Sequence, residues 1–384
     1  MHPSILLITN EYPPEKIAGT AVATRFLAEE LVSRGHRVTV AVNTREHALP
    51  HEMSHALEVV RLRPARVPLT RMAQRAALLA AIARRVRPDV IQGQSLSCGF
   101  LAWLTGRALG IPSVVYVQGL DLYQSGAWAR RTYIRWALTR CDRVATVTPD
   151  LQARALALSG RRGEVIPHGF RQEPSHELDR GTARSQLHLP ADAKVLLFVG
   201  RLIAEKGVDH LLDAMPRVLS RCPDARLVVV GEGEERSRLM QRGRDLHLGE
   251  HVVFVGAQAH AEVIRYMRAA DLFVLPSLVE SFGIVLIEAM SCGLPIVASN
   301  IMGIPAVVED GINGSLVTAG DAAALADGVV GALTDPAKSA GFAARNLQKA
   351  AGYAVPRIAD RFLDLWRGAA VAGTHGLPAG DSAR

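Results

Sequence analysis

Short apolar runs alternate with helical patterns along most of the chain, in two successive sets separated by a polar stretch at residues 171–192. Such alternation is typical of βαβ units, which build parallel sheets covered by helices. The first set predicts strands near 4–9, 37–42, 57–62, 89–92, 113–117, 143–147 and 164–167. The second set predicts strands near 195–199, 226–230, 252–255, 271–275, 296–298 and 314–317. We therefore expect two α/β domains.

The helices of the first set are predicted near 20–34, 70–87, 97–109, 127–140 and 149–158. With 384 residues the chain can form two domains, each with its own core. We expect an N-terminal domain over 1–170, a linker over 171–192 and a C-terminal domain over 193–350, both Rossmann-like and facing a cleft. A helix over 351–368 should cross back to the N-domain, and residues 369–384, rich in small residues, should form a disordered tail.

Charge and cysteine content narrow the function classes without selecting one. The net charge of +7 is compatible with nucleic acid, an anionic membrane surface or anionic substrates. Because nucleic acid is supported by net charge alone, we rank it last. The four cysteines, scattered without a pairwise motif, indicate neither a disulfide framework nor a zinc site and are expected to be buried. No run of eighteen apolar residues or signal-peptide pattern appears, so we expect a cytoplasmic protein.

The segment 275–300 carries the first candidate site. A buried strand is predicted to end at residue 275, where this segment begins, and a helix is predicted to begin at Gly283. Glu280 and Glu288 would then lie on either side of the helix start. The backbone N–H groups at that start belong to Phe282, Gly283 and Ile284. They would bind an anion at the positive end of the helix dipole. Two glutamates at this spacing also occur as ordinary first-turn residues, so the pair alone is weak evidence.

A second candidate site follows the predicted strand 195–199, where a glycine turn carries Arg201 and Lys206. Two cations beside a helix N-terminus suit a diphosphate and can stabilise a leaving group without a metal. The alternative is a solvated basic loop. We favour phosphate binding because the chain has only five lysines, and because a second anion pocket is predicted in the same domain. Gly19, at the end of the first loop, fits either a phosphate approach or a plain loop glycine.

Six short motifs stand in order along the second half of the chain. They are Gly200-Arg201 with Lys206-Gly207, Val230-Gly231-Glu232-Gly233, Phe254-Val255-Gly256, Glu280-Ser281-Phe282-Gly283 to Glu288-Ala289-Met290, Gly293-Leu294-Pro295 and Gly303-Ile304-Pro305. This series resembles the retaining GT-B glycosyltransferases of family GT4, and the match covers essentially residues 4–367. The resemblance implies an α/β GT-B fold. It also implies sugar transfer from a nucleoside-diphosphate sugar, of UDP or GDP type, to a hydroxyl acceptor, with no cofactor and no metal required.

The resemblance assigns a role to each candidate residue, with the donor held mainly by the C-domain and the acceptor by the N-domain. Arg201 and Lys206 would hold the diphosphate, Glu288 the ribose hydroxyls and Glu280 the donor-sugar hydroxyls. The remaining donor contacts would come from the backbone of Phe282, Gly283 and Ile284, from Gly19 at the phosphates, and from Gly256, Ala257 and Gln258 near the base. The catalytic set would be Glu280, Gln118, Arg201 and Lys206.

The chain departs from the family pattern at one position. Where many members have a histidine before Gly-x-Asp, this chain reads Gln118-Gly119-Leu120-Asp121. Glutamine can hydrogen-bond a sugar hydroxyl but cannot carry a proton. In similar enzymes the leaving phosphate is thought to help deprotonate the acceptor, so a protein base is not required. We hypothesise that Gln118 positions the donor sugar and that Asp121 orients the acceptor-side loop.

Two basic stretches do not decide whether the acceptor is soluble or lipid-linked. Residues 68–88 combine five arginines with an apolar stripe, which fits either a segment on an anionic membrane presenting a lipid-linked acceptor or a core-packed helix with a solvated arginine face. Residues 128–136 fit either an acceptor wall or a helix face. We expect a cytoplasmic enzyme, or one peripheral to the inner face of the membrane. It would act in polysaccharide or other cell-surface glycan, glycolipid or small-molecule glycoside biosynthesis.

Two rival functions are weighed against sugar transfer. A non-catalytic nucleotide-sugar or glycan-binding homologue is supported only by Gln118, and the four intact charged residues of the donor site argue against it. A nucleotide-sugar epimerase would need acid–base groups facing the sugar from the N-domain, and the sequence offers no convincing set.

Overall fold

Each half of the chain forms its own sheet, as predicted. The computed structural model describes residues 2–14, 19–43, 52–54, 56–62, 71–119, 121–123 and 128–373. The chain divides into unit 1, Met1–Gly169 with Val355–Arg384, and unit 2, Phe170–Ala354.

The sheet of unit 1 has eight strands in the order β3-β4-β2-β1-β5-β6-β7-β8. Their bounds are β1 Ser4–Thr9, β2 Arg37–Val42, β3 Glu52–Ser54, β4 Leu57–Arg61, β5 Val90–Gly93, β6 Ser113–Val117, β7 Arg143–Thr146 and β8 Glu164–Val165. All neighbouring pairs are parallel except β3 with β4. Side chains of β1 are buried on both faces of the sheet, which explains why the central strands appear in the sequence as continuous apolar runs.

The helices of unit 1 include one from the C-terminal end of the chain. Their bounds are α1 Gly19–Ser33, α2 Arg71–Val86, α3 Leu96–Leu109, α4 Trp128–Arg140, α5 Pro149–Ser159 and, after unit 2, α13 Val355–Gly373. Trp366 of α13 donates from Nε1 to Oε1 of Gln92 in β5 at 2.7 Å, and Arg34, the residue that follows α1, pairs with Asp360 at 2.6 Å. The predicted return of the C-terminal helix to the N-terminal domain is therefore confirmed. The helix extends into the predicted tail as far as Gly373, and the rest of that tail lies outside the described residues.

Helix α2 packs one face into the core of unit 1. Leu79, Ile82 and Ala83 are buried there with residues of β1 and α3. Leu78 and Arg84 remain exposed. The apolar stripe of residues 68–88 therefore serves the core, while the part of that stretch before residue 71 lies outside the described residues.

The sheet of unit 2 has six parallel strands in the order β11-β10-β9-β12-β13-β14. Their bounds are β9 Lys194–Val199, β10 Ala225–Val230, β11 Val252–Gly256, β12 Leu272–Leu275, β13 Ile296–Ser299 and β14 Ser315–Val317. The helices are α6 Arg180–Gln186, α7 Val208–Arg221, α8 Arg236–Asp245, α9 His260–Ala269, α10 Ile284–Ser291, α11 Ala322–Thr334 and α12 Pro336–Ala350. The four cysteines of the chain, two in each unit, are buried, as expected.

The stretch 171–192, expected from its composition to be a linker, belongs to unit 2 and contains α6. Arg184 of α6 is buried, donates from Nε to the carbonyl oxygen of Ala269 at 2.9 Å, and pairs with Asp271 at 2.6 Å. The same Asp271 carboxylate accepts from the backbone N–H of Val195 at 2.7 Å. Arg184 therefore fastens this stretch to the starts of β9 and β12.

Candidate active site

The candidate site of unit 2 lies where the strand order changes direction. The chain runs outward from β9 through β10 to β11, and then returns to place β12 on the other side of β9. In such sheets the loops after the two central strands leave the carboxyl edge in opposite directions and open a crevice for ligands. The loops in question follow Val199 and Leu275. Both sequence-predicted clusters of unit 2 are on these loops.

The two loops are joined by backbone hydrogen bonds. The N–H groups of Leu278 and Val279 both donate to the carbonyl oxygen of Glu205, at 2.8 and 3.2 Å. Gly207 lies directly against the facing loop with φ of +62°, and a Cβ there would be 2.3 Å from the carbonyl oxygen of Pro276. A side chain at Gly207 would therefore push the loops apart.

Lys206 and Glu280 meet between the two loops. Nζ of Lys206 is 2.5 Å from Oε2 of Glu280, and the side chains are only 18% and 14% exposed. The backbone at Glu280 is held in turn, because its carbonyl oxygen accepts from the N–H of Gly303 at 3.1 Å. Arg201 is exposed on the same turn as Lys206. The arrangement concentrates positive charge beside a fixed carboxylate.

Helix α10 begins immediately after this pair. Its N-cap is Gly283, which adopts φ of +83° and has no side chain to accept from the first-turn N–H groups. Phe282 is buried beside it, against the ring of Tyr353. The predicted helix start is confirmed, and the anion site at Phe282, Gly283 and Ile284 stays a prediction.

Glu288 is buried in α10 and hydrogen-bonded to a histidine. Its Oε1 lies 2.9 Å from Nε2 of His260, the first residue of α9, and the Glu288 side chain is 9% exposed. Nδ1 of the same ring is 3.5 Å from Oε1 of Glu173. Burial lowers the pKa of His260, but the hydrogen bond and charge of Glu288 and the charge of Glu173 outweigh it, so the pKa is raised above its ordinary value.

The predicted base-side segment lies at the end of β11. Gly256 adopts φ of +76°, and its carbonyl oxygen accepts from the N–H of Gly231 at 2.8 Å. Ala257 and Gln258 follow it and are exposed. The amide of Gln258 donates to the carbonyl oxygen of Val255 at 2.9 Å, which fixes the turn. The segment presents backbone rather than charged side chains.

The remaining predicted residues belong to unit 1. Gln118 follows β6, is buried, and donates from Nε2 to Oε1 of Gln94, which follows β5. Gly19 is the exposed first residue of α1, and Asp121 lies in a partly exposed turn. Gln118 therefore follows a parallel strand at the carboxyl edge of the sheet, where ligands bind in such folds.

A small cavity lies beneath Gln118. Its volume is about 20 Å³, which is room for about one water molecule, and its polar lining includes Gln94, Gln118, Tyr116 and His168. Burial lowers the pKa of His168 to about 3, so this ring is neutral. A neutral, buried ring fits a structural role rather than proton transfer.

Sequence reasoning missed the partners of two predicted residues. His260 and Glu173 next to Glu288, and Gln94 next to Gln118, are separated from them by 24 to 115 positions in the chain. Periodicity and local motifs carry no signal for such distant pairs.

In the described residues, no group of three or more His, Cys, Asp or Glu side chains is arranged to hold a metal ion. Nor is any described helix both long and apolar enough to span a bilayer.

Comparison with known families matches both units. The model of "Glycosyl transferases group 1" matches residues 179–350, and the model of "Glycosyltransferase Family 4" matches residues 17–173. The D-inositol 3-phosphate glycosyltransferase 1 of Catenulispora acidiphila is 32% identical over 311 residues, covering 76% of this chain and 74% of that protein.

Solved structures agree over nearly the full length. Sucrose-phosphate synthase from Thermosynechococcus elongatus superposes with a TM-score of 0.83 at 26% identity, covering 95% of this chain and 98% of that one. The Anabaena protein HepE, crystallised with UDP-glucose, superposes with a TM-score of 0.77 at 23% identity, covering 94% and 99%. The likeness to HepE shows the fold alone.

Proposed function

This chain belongs to glycosyltransferase family 4, within the glycosyl transferases group 1, and is a GT-B glycosyltransferase; we propose that it moves a sugar from a nucleoside diphosphate to a hydroxyl acceptor with retention of configuration. The observation that carries this proposal is the Lys206–Glu280 pair at the switch between β9 and β12, beside the start of α10. Cations and a helix N-terminus at the carboxyl edge of a parallel sheet suit a diphosphate.

In the proposed reaction, Arg201 and Lys206 bind the donor diphosphate and stabilise the negative charge that develops as the glycosidic bond breaks. Glu280 accepts hydrogen bonds from the sugar hydroxyls, and its contact with Lys206 fixes its position. The departing phosphate takes the acceptor proton on the same face of the sugar, so no protein base is needed. No metal is required for this charge stabilisation, because the two cations supply it.

Glu288 is proposed to accept hydrogen bonds from the ribose hydroxyls. Its carboxylate is buried in α10, the helix that follows the Lys206–Glu280 pair. The exposed backbone after Gly256 is proposed to meet the base. Uracil is the first base to test, because HepE is crystallised with UDP-glucose, and guanine is the second.

Nucleotide binding is tested by thermal unfolding. We expect one of UDP, GDP, ADP and dTDP to raise the unfolding temperature by several degrees, because a ligand at a hundredfold over its Kd stabilises a fold by about 2.7 kcal/mol. The shift should be the same with and without magnesium. The shift should fall strongly in Glu288→Gln, which keeps the size of the side chain and removes its charge. The unfolding temperatures are measured by differential scanning fluorimetry.

The matched control is Glu262→Gln, whose carboxylate pairs with Arg265 on the neighbouring helix α9. This variant should retain the full nucleotide shift. If none of the four nucleotides shifted the wild-type protein, the donor site would be wrong. If a nucleotide bound but no sugar were transferred to any acceptor, the non-catalytic alternative would be favoured.

The acceptor is proposed to bind unit 1, near Gln118 and Asp121. The amide of Gln118 is oriented by Gln94 and can hydrogen-bond a sugar hydroxyl. An inositol phosphate is the first soluble acceptor to test, because the Catenulispora relative is named for it. Lipid-linked acceptors of cell-surface glycan synthesis are the second class.

We also propose that the enzyme works in the cytoplasm and contacts the inner face of the membrane through the exposed side of α2. Leu78, Ala81 and Arg84 lie on that side, with Leu78 44% exposed. An exposed apolar residue and an exposed arginine on one helix suit the boundary of an anionic bilayer. This contact would bring a lipid-linked acceptor to unit 1.

Vesicle binding tests this contact. We expect the wild-type protein to sediment with phosphatidylcholine vesicles that contain phosphatidylglycerol, and less so as salt increases. The double variant Leu78→Ser with Arg84→Ser should bind several times more weakly. A control matched in charge, Leu347→Ser with Lys338→Ser, removes an exposed leucine and a cation from unit 2 and should bind as the wild type does. Equal binding of both variants would contradict the contact.

A further inference from the structure

His260 occupies a position that the proposed reaction does not explain. It is the first residue of α9, and its ring stands between the carboxylates of Glu288 and Glu173, at 2.9 and 3.5 Å. Glu288 is on α10, and Glu173 precedes the 3₁₀ turn Pro174–Glu177. The ring therefore bridges segments that are far apart in the sequence.

The backbone of each of these two glutamates is held by hydrogen bonds that involve His176. His176 closes a capping box with Glu173, accepting from its backbone N–H at 2.9 Å. His176 Nε2 also lies 2.9 Å from Oγ of Ser291, and that hydroxyl donates to the carbonyl oxygen of Glu288 at 2.6 Å. The hydrogen bond from His260 engages Oε1 of Glu288. In the part of the chain that the structure describes, Oε2 of Glu288 makes no hydrogen bond, and it can meet a ligand hydroxyl.

We propose that His260 is a positioning residue for Glu288, which holds one carboxylate oxygen so that the other receives the vicinal hydroxyls of the donor ribose. The inference rests on the proposed donor site. It predicts that the preference of this protein for ribonucleotides over 2′-deoxyribonucleotides depends on His260. A carboxylate with one oxygen fixed accepts from a diol with less loss of side-chain entropy than a mobile one does.

Several other charged groups on α9 and on the elements packed against it have partners of their own. Arg180 and Arg184 of α6 pair with Asp271, and on α9 itself Glu262 pairs with Arg265. Arg268 donates to the carbonyl oxygens of Leu178 and Cys292. Lys194 of β9 pairs with Asp224. The nearby His176 has its pKa lowered by burial, so at neutral pH it adds no positive charge.

The electrostatics therefore favour the imidazolium form of His260, and its pKa is raised above the ordinary value despite burial. A group whose pKa is raised in the folded state keeps its ion pairs below its unfolded pKa and loses them as pH rises through the folded value. We expect the charged contact with Glu288 to be favoured below about pH 6.5, the ordinary pKa of histidine, and to weaken as the pH rises through the raised value. Ribose selectivity should weaken in the same range.

The test is calorimetric titration of the full chain with UDP, GDP and ADP and with the 2′-deoxy form of each, at pH 6, 7 and 8.5. For the base that binds, we expect the wild-type protein at pH 6 to prefer the ribonucleotide by about tenfold, the usual effect of one hydrogen bond to a charged group. The preference should fall as pH rises. His260→Ala should reduce it to about twofold or less at every pH. His260→Gln, which keeps an N–H donor but cannot titrate, should retain most of it with no pH dependence.

Several outcomes would overturn the inference. If His260 had a purely structural role, His260→Ala would weaken the binding of the ribonucleotide and of its deoxy form equally, and the ratio of their affinities would stay unchanged. A wild-type ratio that persists in His260→Ala, while Glu288→Gln abolishes it, would refute the role of His260 and leave the donor site standing. Failure of all six nucleotides to bind the wild-type protein would refute the donor site as well. His251→Ala, which alters a ring bonded to the carbonyl oxygen of Ala225 in the same unit, should leave the ratio as in the wild type.

Discussion

A Lys206→Ala variant is expected to transfer sugar about a hundred to a thousand times more slowly than the wild-type protein, the usual effect of removing one group that stabilises transition-state charge. Lys206 lies at the carboxyl edge of the sheet, 2.5 Å from Glu280, and is largely shielded from water. Charge stabilisation is stronger there than at an exposed site, because the local dielectric is lower. The rate is measured under saturating donor, so that the loss appears in kcat rather than in binding alone.

The variant also leaves Glu280 without its cation, and this could affect folding as well as catalysis. A second variant, Lys206→Ala with Glu280→Gln, removes the unpaired charge and should regain any lost unfolding temperature without regaining activity. Lys194→Ala is the matched control, because Lys194 is in the same unit and pairs with Asp224 at 3.7 Å on the surface. It should transfer at the wild-type rate. Wild-type activity in Lys206→Ala would refute the assignment of the diphosphate site.

The second large effect is expected for stability. Arg184→Met should lower the free energy of unfolding by about 3 kcal/mol, since removing one partner of a buried ion pair leaves the other charge uncompensated. The side chain of Arg184 is 8% exposed and bonds to two carbonyl oxygens as well as to Asp271. Arg180 and the N–H of Val195 still contact that carboxylate, which places the loss at the lower end of the usual range.

Urea unfolding followed by circular dichroism gives the change in stability, and hydrogen exchange of β9 locates it. Arg217→Met is the control, because Arg217 pairs with Asp327 while both side chains are more than half exposed. That pair should contribute less than about 1 kcal/mol. Equal losses in the two variants would show that Arg184 does not hold β9 and β12.

The strands could be predicted because burial on both faces removes polar residues from them. The runs Ile5–Ile8 and Val195–Phe198 are buried throughout, and their predicted bounds differ from the observed ones by at most one residue. Strand β3, Glu52–Ser54, was not predicted. Its three residues are exposed at the edge of the sheet, so they carry no apolar alternation.

Helix α6 escaped prediction for a related reason. Arg180–Gln186 has no apolar stripe, and what holds it is Arg184, bonded to Asp271 some 87 positions further on. A contact between distant charged residues leaves no local pattern to read. The stretch was therefore assigned to a linker on its polarity, although its backbone is part of unit 2.

In the candidate site, too, locally determined features could be predicted from the sequence, and features that depend on distant contacts could not. Lys206, Glu280 and the start of α10 were found from motifs because each is determined locally, by a strand end, a glycine and a helix N-terminus. The environment of Glu288 was not found, since it depends on how α9 packs against α10. Whether a glutamate near a helix start is an ordinary helix residue or an oriented carboxylate is decided by that packing.

The position of α13 in unit 1 has a consequence for biosynthesis on the ribosome. Unit 2 is one continuous segment, Phe170–Ala354, whose ends are hydrogen-bonded to each other through Phe170 N–H and the carbonyl oxygen of Tyr353 at 3.0 Å. Unit 1 lacks Trp366, the partner of Gln92, until all of unit 2 has been synthesised. Unit 2, which is synthesised later than the sheet of unit 1, can thus complete its fold first, because that sheet still lacks α13.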